Sequence, residues 1–287
     1  MRTLVANVEE VFREAAARWV LVAYFAISTI FILVFSFAIN LDIVDGALAG
    51  AKIFGQAVES RDLRNGGIDI EQLVLGFESG FSVFLYIVGT FLALFATAHL
   101  VPRLQEKGTI DLYLSRPVGR VQLLLSRYLG GLLLSASNLF YLMGSIWLVV
   151  VWKTKVVHPQ FFLAALVILL VIASFLSFSF LVGTLTGSTG VATMTTFSLF
   201  FLSLFVAAHD RMAAALDSEL AAGLLHGLYW ILPKTQEMGK AVFALVAGEE
   251  APGRLASALT LSPFLTTAAF GVVCLALASW HFQRKDF

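Results

Sequence analysis

The longest uncharged stretch of the chain constrains its fold more than anything else. From Val156 to His209 there are 54 consecutive residues without Asp, Glu, Lys or Arg. A water-soluble domain needs charge on every exposed turn. A bilayer requires the opposite, because one charge at mid-depth costs about 2.5–3.5 kcal/mol on insertion scales. Four shorter windows repeat the pattern: Trp19 to Leu41, Ser79 to Pro102, Tyr128 to Trp152 and Leu255 to Gln283. Hydrophobic residues are 59% of the chain and charged residues 13%, about half the charged share of an average soluble domain.

A helix needs about 20 apolar residues to cross the hydrocarbon core. Four windows fit one crossing each, and the long one fits two with a turn between them. The polar cluster Gly183-Thr184-Leu185-Thr186-Gly187-Ser188-Thr189-Gly190 supplies that turn. The fold expected is therefore an all-α integral membrane protein with six spans, near 19–40, 80–101, 128–151, 161–183, 190–208 and 263–281. The first apolar run is too long for a cleaved signal core and follows 18 residues of mixed charge, so it reads as a retained helix. Continuous apolar runs also exclude a β-barrel, whose strands alternate.

Six spans put both termini on one side. Ten of the nineteen basic residues fall on that side, in roughly half the loop length of the other, so the termini are expected in the cytoplasm of an inner-membrane protein. The opposite side takes Leu41 to Glu78, with seven acids against three bases, then Lys153 to Gln160 and the 209–262 segment. Within the last, Leu220 to Leu225, Leu228 to Leu232 and Ala241 to Ala247 are too apolar for a free loop and too short for a span. Short helices dipping into the outer leaflet would bury them with their backbone bonds internal. The segment 1–19 carries apolar side chains at helical spacing (Leu4, Val5, Val8, Val11, Phe12, Ala15, Ala16 and Trp19), with Arg2, Glu9, Glu10, Arg13 and Glu14 on the other side. This predicts an interfacial helix, either an elbow into the first span or a docking surface.

The connection 102–127 carries the most information. Gly108 breaks the emerging helix, Thr109 can cap a new short one, and Ile110, Leu112, Tyr113 and Leu114 give that helix an apolar side. Arg116 precedes Pro117 and is steered out of helix geometry, while Pro117 suits the first turn of the next helix. The result is a stiff, basic projection with apolar side chains beyond the membrane, which calls for a cover.

The run EKGTIDLYLSRPVGRVQLLLSRYLG resembles the first cytoplasmic loop of the ABC-2 permease family, with Glu106, Gly108, Thr109, Leu114, Ser115, Pro117, Val118 and Arg120 at the matching positions and Tyr113 replacing an aliphatic. Leu228 to Glu249 is similar to that family's segment before the last span, and the ending HFQRKDF to its aromatic-basic-Asp terminus. The nearest branch resembled is that of the permeases of multi-copper enzyme maturation systems. The resemblance implies a half-transporter that exports a hydrophobic or amphipathic substrate. It would pair with a second copy or a similar permease and with two copies of a cytoplasmic ATPase that binds ATP and Mg. Glu106, Gly108, Thr109, Ile110, Leu112, Leu114, Ser115, Arg116, Pro117 and Arg120 would form the coupling element, and the helices of the 209–262 segment would be a re-entrant pair gating the exit. A mechanical coupler acting on a periplasmic partner and a non-transport scaffold remain as alternatives.

The chain has no G-x-x-x-x-G-K-[ST] loop, H-E-x-x-H or G-x-S-x-G motif, so hydrolysis is expected on the partner, with no catalytic residue, metal or cofactor here. No nucleic-acid partner is expected. Asn40, Asn138, Ser174, Ser177, Thr193 and Thr196 are polar residues in or beside spans. They are candidates for helix packing or for a substrate path.

Overall fold

A computed structural model describes residues 2–17, 19–44, 47–53, 56–57, 68–105, 119–209, 212, 219–247 and 260–285. Helix α1 (Arg2–Ala17) is followed by α2 (Val20–Ala38), four short strands, then α3 (Ile70–Phe84). A π-helical turn at Leu85–Gly89 joins α3 to α4 (Thr90–Thr97) and α5 (Leu100–Leu104). After the connection come α6 (Arg120–Thr154), α7 (Phe161–Thr186), α8 (Thr189–Val206), α9 (Glu219–Ile231), α10 (Thr235–Ala247) and α11 (Leu261–Arg284).

Five helical stretches are long and apolar enough to cross a membrane: Glu71–Leu104, Arg120–Thr154, Phe161–Thr186, Thr189–Val206 and Leu261–Arg284. The sixth candidate is the pair α1 and α2, bent by 74°. The bend sits at Trp19, whose φ of 61° is left-handed. Several helices run past the uncharged windows, since Glu71, Glu78, Arg120, Arg127 and Lys153 are helical. An uncharged window marks where charge is forbidden. The helix itself continues until its backbone is broken.

The turn between α7 and α8 shows how such a break is made. Gly187 takes φ +65° and its N–H bonds the Gly183 carbonyl at 2.9 Å. A left-handed glycine after the last turn is the commonest way to end a helix. Ser188 then caps α8, its hydroxyl accepting from the Val191 N–H at 3.5 Å.

Helix α7 is the centre of the bundle, with Phe161, Ile168, Val171, Phe175 and Leu176 fully buried. Helices α4, α6, α8, α10 and α11 surround it. Gly271 allows α11 to approach closely, because a Cβ there would lie 3.0 Å from the Ser174 Cα. Phe35 stacks on Phe77, and Phe31 on Phe81 and Phe84, joining α2 to α3. Helix α1 does not spend its apolar face on lipid alone. Val11 and Ala15 are fully buried, and a Cβ on Gly130 of α6 would fall 2.7 Å from Val11 Cγ2.

The spanning part is all-helical, but the connection between α2 and α3 adds a small antiparallel sheet that was not expected. Strand β1 (Ile39–Val44) pairs with β2 (Ala47–Ile53), and β2 pairs with β3 (Gln56–Ala57) and β4 (Ile68–Asp69). Ile39-Asn40-Leu41-Asp42-Ile43 alternates with period two, which is a strand signature.

Candidate functional site

The elements group at two ends. At the end holding α1 and the chain's last described residues, the two feet of the 105–119 connection are tied to three other parts of the chain. Arg103, before the connection, donates to Glu14 Oε1 of α1 at 2.8 Å. Arg127, about two turns into α6, donates to the other oxygen of the same carboxylate. Arg127 is buried, Arg103 nearly so, and Glu14 half-buried. One carboxylate on the N-terminal helix thus spans both feet.

The second tie uses helix C-termini, whose last carbonyls lack partners within the helix and carry partial negative charge. Arg120 Nη1 donates to the carbonyls of Lys285 at 2.7 Å and Gln283 at 3.2 Å, at the end of α11. Gln105 Nε2 donates to the Gly183 carbonyl at 3.0 Å, and Lys285 Nζ to the Thr184 carbonyl at 2.9 Å, both at the end of α7. Lys285 Nζ also bonds Gln105 Oε1. Cations and amides therefore complete the ends of α7 and α11 while fixing where the connection starts and finishes. The feet of the connection are thus bonded to α1, α7 and α11.

Of the ten residues expected to form the coupling element, Arg120 is placed here, holding the tail. The others (Glu106, Gly108, Thr109, Ile110, Leu112, Leu114, Ser115, Arg116 and Pro117) lie outside the described residues.

At the far end, α9 and α10 are 13 residues each, about 20 Å and too short to cross a hydrocarbon core of about 30 Å. Helix α10 packs on α3 and α7 and fully buries Met238, Ala241, Val242 and Val246. The break between the pair, Leu232 to Thr235, is buried and fastened to three spans. Tyr86 of the π-helical turn donates to the Thr235 carbonyl at 2.7 Å, the Thr235 and Ser203 hydroxyls meet at 2.7 Å, and the Lys234 N–H reaches Thr267 Oγ1 at 3.1 Å. Pro233 supplies the break, having no N–H to continue the ladder. The Lys234 ammonium bonds the Tyr229 carbonyl at the end of α9 and lies 3.1 Å from the Tyr229 ring centre. Burial pushes it down to about 8, with Glu237 pulling the other way.

The polar residues of the spans form hydrogen bonds within and between helices. Asn138 accepts from Ser28 at 3.1 Å, linking α6 to α2. Ser174 donates to the Thr267 carbonyl of α11 at 2.9 Å and to Leu170 at 3.0 Å. Ser177 meets the Tyr128 hydroxyl at 3.2 Å. Thr193 and Thr196 bond their own preceding turns, to Thr189 and Ala192. Asn40 sits in β1 opposite Lys52. Among the described residues no group of three or more His, Cys, Asp or Glu is placed to hold a metal.

Several residues escaped the sequence reading. Glu14 was visible only as part of a charged helix face, and Lys285 only as part of a basic tail. Tyr86, Lys234 and Thr235 carry no local signal, because their partners are far away in sequence. At the far end Glu78 is buried against His158 Nδ1 at 2.8 Å, and nothing in the sequence pairs the two.

The far-end pair makes a prediction of its own. Leu220, Leu224 and Ile231 of α9 are strongly exposed in the isolated chain, so lipid or water must cover them. If α9 dips into the bilayer, cysteines placed there will resist a bulky aqueous thiol reagent until the membrane is dissolved. Uniformly high labelling through 220–247 in intact membranes would rule out a dipping pair.

A family model described as ABC-2 family transporter protein matches residues 8–287. Among curated proteins no match is found.

Proposed function

Because the chain belongs to the ABC-2 family of transporter proteins, whose members are the membrane permeases of ABC transporters, we propose that it exports a hydrophobic or amphipathic substrate, powered by a separate cytoplasmic ATPase that docks on the 106–118 connection. The permease would work as a pair, with a second copy or a similar chain, and with two ATPase subunits that bind ATP and Mg.

The observation that supports this most is the double tie at the feet of the connection. Glu14 holds Arg103 and Arg127 together, while Arg120, Gln105 and Lys285 bind the ends of α7 and α11. A loop that only joined two spans would need none of these ties. A loop that receives force from a partner needs a base that moves as one body with the bundle, since energetic coupling travels through packed elements with discrete arrangements. Through α7 the force reaches α10, whose break is pinned to Tyr86, Ser203 and Thr267 at the far end.

The reading requires the connection to face the cytoplasm. Reporters active only in the cytoplasm are expected to work when fused at Gly108, at Gly187 and at the C-terminus. Reporters active only outside should work at Gly66 and Gly248. An external signal from Gly108 would remove any access for a cytoplasmic ATPase, and the proposal would fall with it.

A further inference from the structure

A cleft of about 740 Å³ opens at the far end between the π-helical turn, the end of α8 and helix α10. That volume lies in the range of small-molecule sites. Its walls include Ile87, Leu204 and Phe243, and its polar edge includes Gln236, Glu237 and Lys240. Ile87 and Phe243 are each about 40% exposed, so the walls offer apolar surface to whatever enters.

The two charges are the informative part. Glu237 and Lys240 stand three residues apart on α10, which puts them on one helix face about one turn from each other. Glu237 Oε1 accepts from the Tyr229 hydroxyl at 3.0 Å, while Oε2 is buried without a hydrogen-bond partner. Among the described residues Lys240 forms no ion pair. The Lys234 ammonium lies near enough to act on the Glu237 charge, yet Oε2 has no hydrogen-bond donor, and a cationic donor brought in through the cleft would supply one once the carboxylate turns toward it. Lys240 beside it asks for an anion. Opposite charges about 5–6 Å apart at their Cβ atoms match a headgroup in which phosphate and ammonium are joined by a two-carbon linker.

We infer that this cleft binds a zwitterionic phospholipid of the surrounding leaflet, with its ammonium at Glu237, its phosphate at Lys240 and an acyl chain along Ile87, Leu204 and Phe243. The charges select the headgroup and the walls hold the tail. Free headgroup lacks the tail contacts, and an anionic lipid such as phosphatidylglycerol can place its phosphate at Lys240 but brings hydroxyls rather than a cation to Glu237. The site needs neither an ATPase nor transport, so it stands apart from the coupling proposal.

The test uses the full chain, stripped of lipid and returned to nanodiscs made from equal amounts of phosphatidylethanolamine and phosphatidylglycerol with identical tails. After gentle extraction, retained lipid is counted by mass spectrometry. Phosphatidylethanolamine should be retained over phosphatidylglycerol by about tenfold, which corresponds to about 1.4 kcal/mol. In Glu237→Gln the preference should fall to near parity, while Lys240→Gln, which loses the contact to the phosphate that both lipids carry, should retain about tenfold less phosphatidylethanolamine than the parent. Lys240 is exposed, so its replacement leaves the fold intact even if the Glu237 variant does not fold. Free phosphoethanolamine should not displace the bound lipid. Equal retention of both lipids by the parent, or parental retention of phosphatidylethanolamine by Lys240→Gln, overturns the inference. So does displacement by the free headgroup, and so does a disulfide between copies of Lys240→Cys in intact membranes, which would make the cleft a seam between two chains.

Discussion

Replacing Glu14 with alanine is expected to destabilise the protein by about 2–3 kcal/mol. Removing one partner of a buried ion pair costs about 3–5 kcal/mol, and the lower figure applies because the Glu14 side chain is 24% exposed and so partly screened. Two guanidinium groups lose a shared counter-charge, and one of them, Arg127, is 3% exposed. Each foot of the connection loses one tie, while Gln105 and Arg120 keep theirs. Glu14→Gln keeps the shape and one acceptor oxygen and should fall between alanine and the parent. Glu9→Ala is the control: the Glu9–Arg13 pair lies on the exposed face of the same helix, and its loss should change stability by less than about 0.5 kcal/mol. Thermal unfolding of the purified chain in nanodiscs reads all three. A Glu14→Ala protein as stable as Glu9→Ala would show that α1 is a passive elbow.

Gly130 tests the same contact without touching charge. A Cβ there would lie 2.7 and 2.8 Å from Val11 Cγ2 and Cβ, so even alanine must push α1 outward. The apolar face of α1 was legible in the sequence, since Val11 and Ala15 fall at helical spacing. What it faces was not. An interfacial helix and a helix docked on α6 require the same pattern, and only the missing side chain at Gly130, far away in the chain, separates them.

The same limit explains which parts of the site could be read. Charge-free windows identify spans because the bilayer imposes one rule on every residue within it. Gly187 was legible as a break because a left-handed backbone position selects glycine locally. The ties at the feet of the connection obey no local rule. Arg120 bonds carbonyls of Lys285 and Gln283, and Gln105 a carbonyl of Gly183; backbone acceptors leave no mark on the residue that supplies them. The apex of the far-end pair is similar. Pro233 announced a break, but the carbonyl of Thr235 and the hydroxyl of Tyr86 meet across 149 positions. The sheet after α2 was legible in principle, through the alternation from Ile39 to Ile43, yet the first three of those residues also fit the end of the first uncharged window.

These ties also assign different roles within the connection. Arg120 is occupied with the tail of the chain, so its expected contribution is to hold the base. Contact with an ATPase then falls to the apolar residues and to Arg116, between Gly108 and Pro117.

The most direct measurement of the coupling proposal is therefore made on those residues. Leu112→Ala combined with Leu114→Ala, and separately Arg116→Glu, should leave membrane insertion intact, because no span is altered. Anchors in a small interface are typically worth about 2 kcal/mol or more each. Affinity for the ATPase, or stimulation of its hydrolysis if association persists, should drop by at least about tenfold, equivalent to about 1.4 kcal/mol. Arg254→Glu, on the expected outer side, should change neither quantity. Loop variants that bind and stimulate the ATPase as the parent does would contradict the account, and the chain would then be a membrane scaffold whose braced connection serves its own fold.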